Sequence, residues 1–127
     1  MNLFLLDAGG AGLVFGIMII FMIAAVVIEA LLMVVMKYNM AGKAFLDAFL
    51  VNLTSLVAGY ILLWTTGELF YYFDSPFLNW LTLYSITVVI EFVILYLLNR
   101  RHRVGKTFLT CVIMNVASYV AWYLFTL

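Results

Sequence analysis

The sequence predicts an all-α integral membrane protein: a bundle of four transmembrane helices built as two parallel, duplicated helix hairpins. Three observations carry that expectation. Hydrophobic residues make up 69% of the chain and charged residues 9%, against about half and about a quarter in an ordinary soluble domain. The apolar residues gather into four runs of membrane-crossing length. The second half of the chain repeats the first.

At 127 residues the chain is expected to form one domain, a membrane domain over 1–127. A soluble fold this small has too little interior to hide so much apolar surface, so lipid is the expected solvent. The first run spans roughly Ala11 to Met36, after Gly9 and Gly10. The second spans roughly Ala44 to Thr65, with Asp47 its only charge. The third covers roughly Leu78 to Leu98 and the fourth roughly Thr107 to Phe125. Each approaches the ~20 residues that cross a bilayer as a helix. Barrel strands would be half as long and would alternate polar with apolar. The connections Lys37–Lys43 and Asn99–Lys106 are short, so the helices they join are expected to run antiparallel. Thr66 to Phe77 joins the halves and holds the only proline, Pro76.

The six basic residues sit in two loops: Lys37 and Lys43 in one, Arg100, Arg101, Arg103 and Lys106 in the other. Alternation puts both loops on one side, and the Lys/Arg excess marks it as cytoplasmic. Both termini are then expected outside, with Asp7, Glu68 and Asp74. Trp64, Tyr71, Tyr72, Trp80 and Trp122 would form an aromatic belt at that outer face. Contact with anionic lipid headgroups is the second reading of the basic residues. The start of the chain lacks a basic residue before its first apolar run, and that run is too long for a signal core. Met1–Leu127 is therefore expected to be the working chain, in the plasma membrane or the inner membrane of a bacterium.

The repeat rests on rare residues held in register. Val27-Ile28-Glu29 matches Val89-Ile90-Glu91, and Gly42-Lys43 matches Gly105-Lys106. Phe45, Leu46, Asn52, Ser55, Val57, Ala58 and Tyr60 match Phe108, Leu109, Asn115, Ser118, Val120, Ala121 and Tyr123. From Gly42 to Tyr60 nine of nineteen positions are identical. The expected units are repeat one over about 11–65, a linker over 66–77 and repeat two over about 78–127. Two spans per copy make the repeat parallel, with a pseudo-twofold axis along the membrane normal.

A polar layer is expected at one depth. Glu29, Asn52, Glu91 and Asn115 each lie eight or nine residues from a loop lysine or arginine. At ~1.5 Å per residue that is roughly 12–14 Å in, near mid-membrane. Ala25 and Glu29; Ala48, Asn52, Ser55 and Gly59; Tyr84, Thr87 and Glu91; and Thr107, Cys111, Asn115 and Ser118 follow helical spacing on four inward stripes. Small residues there allow close packing, and Gly12 with Gly16 is a further close-contact candidate. No basic residue lies within either span to pair with Glu29 or Glu91. Neutral carboxyls donating to asparagine oxygens are expected, with ionised carboxylates around a bound cation as the alternative.

Several activities find no support. One Cys and one His cannot build a structural zinc site or an internal disulfide. No nucleophile elbow, zinc-protease helix or phosphate loop is present. Asn52-Leu53-Thr54 is a glycosylation sequon inside a span. The charge balance, six basic against six acidic, gives no sign of nucleic acid. The small multidrug exporters share the length, the four spans and a first-helix glutamate. The likeness ends there, because the duplicated half and one-sided charge argue against insertion in both orientations. The sequence predicts a non-enzymatic subunit or scaffold without cofactor or metal, packed against a membrane-protein partner or its own copies. The rival is a small carrier or channel for protons, cations or a small solute through the polar layer.

Overall fold

The computed structural model is all-helical across the described residues, with no strand among them. It describes residues 2–66 and 73–126, and the side chains of 2–11, 14, 15, 63, 64, 66 and 126 are not described. Four helices follow one another: α1 (Asn2–Val35), α2 (Ala41–Thr66), α3 (Pro76–Leu98) and α4 (Val104–Thr126). All four are long and apolar enough to cross a membrane, as a multi-pass membrane protein requires.

The helices form a closed square in chain order. Each packs on two neighbours: α1 on α2 and α4, and α3 on α2 and α4. The interior mixes small and polar residues with a few large apolar ones: Ala30, Ala44, Ala48, Cys111, Thr107 and Thr110 are fully buried, and so are Met33, Val51, Leu95 and Met114. The exterior is large and apolar, with Leu13, Ile20, Phe77 and Leu124 each more than 60% exposed. That inversion suits a chain solvated by lipid, where small residues draw the backbones together and large aliphatic ones face hydrocarbon.

Helix ends follow local chemistry. α1 ends at Val35, and Lys37 just beyond it takes a left-handed conformation (φ 52°). The Lys37 amide donates to Val34 O at 3.0 Å and the Tyr38 amide to Met33 O at 2.8 Å. This is a Schellman ending, usually built on glycine. Its customary apolar contact is supplied by Tyr38, which is buried like Met33. α3 begins at Pro76, whose fixed φ suits the first helical position. Asn79 clamps the approach, accepting from the Phe73 amide at 2.9 Å and donating to Phe73 O at 2.7 Å.

Two expectations change. α1 does not open at the glycines but runs from Asn2 through Gly9, Gly10 and Gly12. Leu3, Leu5 and Leu6 are good helix formers, and in lipid the intrahelical bond is the main partner a backbone amide has. Gly12 and Gly16 make no close helix contact inside the chain, because a Cβ built on either meets nothing within 4 Å. Trp80 and Trp122 are exposed. Asp7, Trp64, Glu68, Tyr71 and Tyr72 lie outside the residues with described side chains.

Candidate functional site

Six side chains form two hydrogen-bonded triads, Asn52–Glu29–Ser118 and Asn115–Glu91–Ser55, which the α2 turn from Asn52 to Ser55 and the α4 turn from Asn115 to Ser118 join into a ring through all four helices. Asn52 Nδ2 on α2 donates to Glu29 Oε2 on α1 at 2.5 Å, and Ser118 Oγ on α4 donates to Glu29 Oε1 at 2.6 Å. Asn115 Nδ2 on α4 donates to Glu91 Oε2 on α3 at 2.6 Å, and Ser55 Oγ on α2 donates to Glu91 Oε1 at 2.9 Å. Each of the four helix interfaces therefore carries one of these bonds. Both carboxyls sit on diagonally opposed helices, and Glu29, Glu91 and Asn115 are 1% exposed.

The asparagines are fixed donors. Asn52 Nδ2 also donates to Ala48 O at 2.9 Å, and Asn115 Nδ2 to Cys111 O at 3.0 Å. A flipped amide would set its oxygen against that carbonyl, so the nitrogen faces the carboxyl. The expected arrangement, with the amide oxygen accepting from the acid, is thus replaced by its reverse.

The serines are rotors. Ser118 Oγ lies 3.0 Å from Met114 O, and Ser55 Oγ lies 3.0 Å from Asn52 O. When a carboxyl is ionised, its serine donates to it and all four carboxyl oxygens have a donor. When the carboxyl is protonated, it donates to the serine, whose hydrogen turns to the helix carbonyl. The same heavy-atom positions serve both states.

The stripe positions with described side chains are buried or half-buried, but Gly59 makes no close helix contact, because a Cβ built on it meets nothing within 4 Å. Ala48, Thr107 and Cys111 are buried, and Ala25, Gly59, Tyr84 and Thr87 are half-buried. Thr87 Oγ1 and Tyr119 Oη share a bond at 3.2 Å. Between α3 and α4 toward the linker end lies an apolar groove of about 500 Å³, lined by Phe77, Trp80, Tyr84 and Tyr119 among others.

A second polar cluster, unforeseen in the sequence, locks the two basic loops together. Asp47 is 1% exposed. Its Oδ2 accepts from Asn39 Nδ2 at 2.6 Å and from Asn99 Nδ2 at 2.7 Å. Lys43 Nζ lies 3.0 Å from both Asp47 oxygens. Asn39 Nδ2 also donates to Asn99 Oδ1 at 2.9 Å, and His102 Nε2 donates to Asn39 Oδ1 at 3.3 Å. Tyr38 Oη and Thr107 Oγ1 share a bond at 2.9 Å, and Lys106 Nζ donates to Lys37 O at 3.1 Å. Burial pushes the Tyr38 phenol above its ordinary range, with the Thr107 bond opposing and the Asp47 charge reinforcing the rise. One signal for this cluster was present in the sequence: Asp47 stands four residues after Lys43, the spacing of a helical ion pair.

Among the described residues no group of three or more His, Cys, Asp or Glu is placed to hold a metal ion. Comparison with protein-family models, with characterised proteins and with solved structures finds no match to this chain. The functional reading therefore starts from the ring and the lock.

Proposed function

We propose that this chain is a small multi-pass protein of the plasma membrane that acts as a non-enzymatic subunit or scaffold of a larger membrane assembly. The observation that carries this reading is the closed ring. It spends every carboxyl oxygen on a bond between neighbouring helices, as expected of groups that fix helix register. The apolar exterior then remains for partner spans or further copies. On this reading Glu29 and Glu91 lie near mid-membrane, and the halves are duplicated hairpins about a pseudo-twofold along the membrane normal. The paired bonds, Asn52 with Asn115 and Ser55 with Ser118, support that duplication.

The rival is a carrier or channel moving protons, cations or a small solute through the same layer. Its support is the serine rotors, which let each carboxyl accept or release a proton without repacking.

Substitution of both glutamates separates the two. In Glu29→Gln and Glu91→Gln the amide oxygen accepts from the asparagine and the amide nitrogen donates to the serine, so the ring closes. A scaffold should keep its folded yield and its cellular role. Glu29→Leu and Glu91→Leu strand buried donors at a cost of roughly 1–3 kcal/mol each and should lower folded yield in detergent. Glutamine variants that fold normally yet reproduce the gene-deletion phenotype would overturn the scaffold and favour the carrier.

A further inference from the structure

The loop lock does more than a topology signal requires. Such a signal depends on how many basic residues a loop carries, not on their order. Here order is built from buried groups: Asp47, Asn99 and Tyr38 are each at most 4% exposed. Lys43 is the only described basic residue in an ion pair. Lys37, Arg100, Arg101, Arg103 and Lys106 are exposed, and none has a carboxylate partner among the described residues.

His102 shows how the cations are presented. Its amide donates to Asn99 O at 3.0 Å, its Nε2 donates to Asn39, and its ring packs on Tyr38 with centroids 4.3 Å apart. The residue between Arg101 and Arg103 is thus tied inward, while the arginines that flank it stay outside. Lys106 is held across the loops by Lys37 O, with its Nζ 5.8 Å from the Tyr38 ring centroid.

We propose that the two loops form one preorganised cationic platform that binds the phosphate of an anionic membrane phospholipid. Planar guanidinium groups suit the bidentate recognition of phosphate oxygens. The lipid source follows from position. The platform lies at the helix ends, where headgroups lie if the helices cross a bilayer. Beside it Val35 (76% exposed), Met40 (86%) and Val104 (55%) offer apolar surface to acyl chains.

The test uses the full chain in mild detergent micelles doped with phosphatidylglycerol or phosphatidylcholine of equal chain length. Bound lipid is counted by native mass spectrometry. Phosphatidylglycerol should be retained about tenfold over phosphatidylcholine, with the preference falling as salt rises. Millimolar inorganic phosphate should not displace it. Arg101→Gln combined with Arg103→Gln should reduce the preference. Asn39→Ala should also reduce it, although it keeps every cation, because it releases the lock. If Asn39→Ala does not fold, His102→Ala frees the same loop and carries the same expectation. Equal retention of the two lipids overturns the proposal. A preference that survives the lock-breaking variant overturns the preorganised platform, and displacement by inorganic phosphate overturns the lipid source.

Discussion

Asp47 and Thr110 stand at matching positions, four residues after Lys43 and Lys106. One is the best-satisfied side chain at the loop end. The other is a fully buried threonine whose Oγ1 has no hydrogen-bond partner. Removing that hydroxyl removes a desolvation cost with no bond to lose. Thr110→Val should therefore fold normally and gain up to about 1 kcal/mol, read as a rise in thermal unfolding temperature in detergent. A fall would mean that the hydroxyl has a partner in solution. Asp47→Ala has the opposite sign, because it strands the Asn39 and Asn99 amides and costs at least about 2 kcal/mol. The contrast shows what a sequence reveals at this scale. Glu29, Asn52, Glu91 and Asn115 stand out as rare polar residues deep in apolar runs. Asp47 does not, because a charge near a helix start also reads as a group that reaches water. Its burial depends on Asn39 and Asn99, eight and fifty-two residues away, and one-dimensional spacing cannot bring those together.

The four helices were legible as elements because each is a run of apolar residues bounded by charge, proline or glycine. Their ends were less so. The start of α1 was hidden because a pair of glycines reads as a break in water, whereas the helix runs through Gly9 and Gly10. Its end was legible to within a residue, Met36 against Val35, but the turn that follows was not, because nothing in Lys37 itself announces a left-handed residue. Lys37 adopts a conformation that costs an L-residue roughly 1–2 kcal/mol, held there by the two Schellman bonds and the burial of Tyr38. Lys37→Gly should relieve that cost and raise the unfolding temperature, by the equivalent of about 1 kcal/mol. Lys37→Val should lower it, since a β-branched side chain resists positive φ. The two variants remove the same charge, so a difference between them isolates the backbone term. Equal behaviour of the pair would mean that the turn relaxes out of the left-handed region once the lysine is gone.

At the scale of the whole molecule, the lock links the two basic loops directly, through Asn39 with Asn99, Tyr38 with Thr107 and Lys106 with Lys37. Both loops therefore lie at one end of the bundle, whatever surrounds it. That this end faces the cytoplasm is our proposal, and it rests on charge. All six basic residues of the chain lie at this end, and translocating them would oppose the bias that retains Lys and Arg in the cytoplasm. Thiol labelling in intact cells tests the orientation, after the buried Cys111 is replaced by alanine. Met40 is 86% exposed in the first loop, and Phe77 is 65% exposed at the start of α3, at the opposite end. With a membrane-impermeant maleimide, Phe77→Cys should label in intact cells, and Met40→Cys only after permeabilisation. The reverse pattern would place the basic loops outside and overturn the orientation. It would also move the phosphate platform to the outer leaflet while leaving the helix square and its ring as they are.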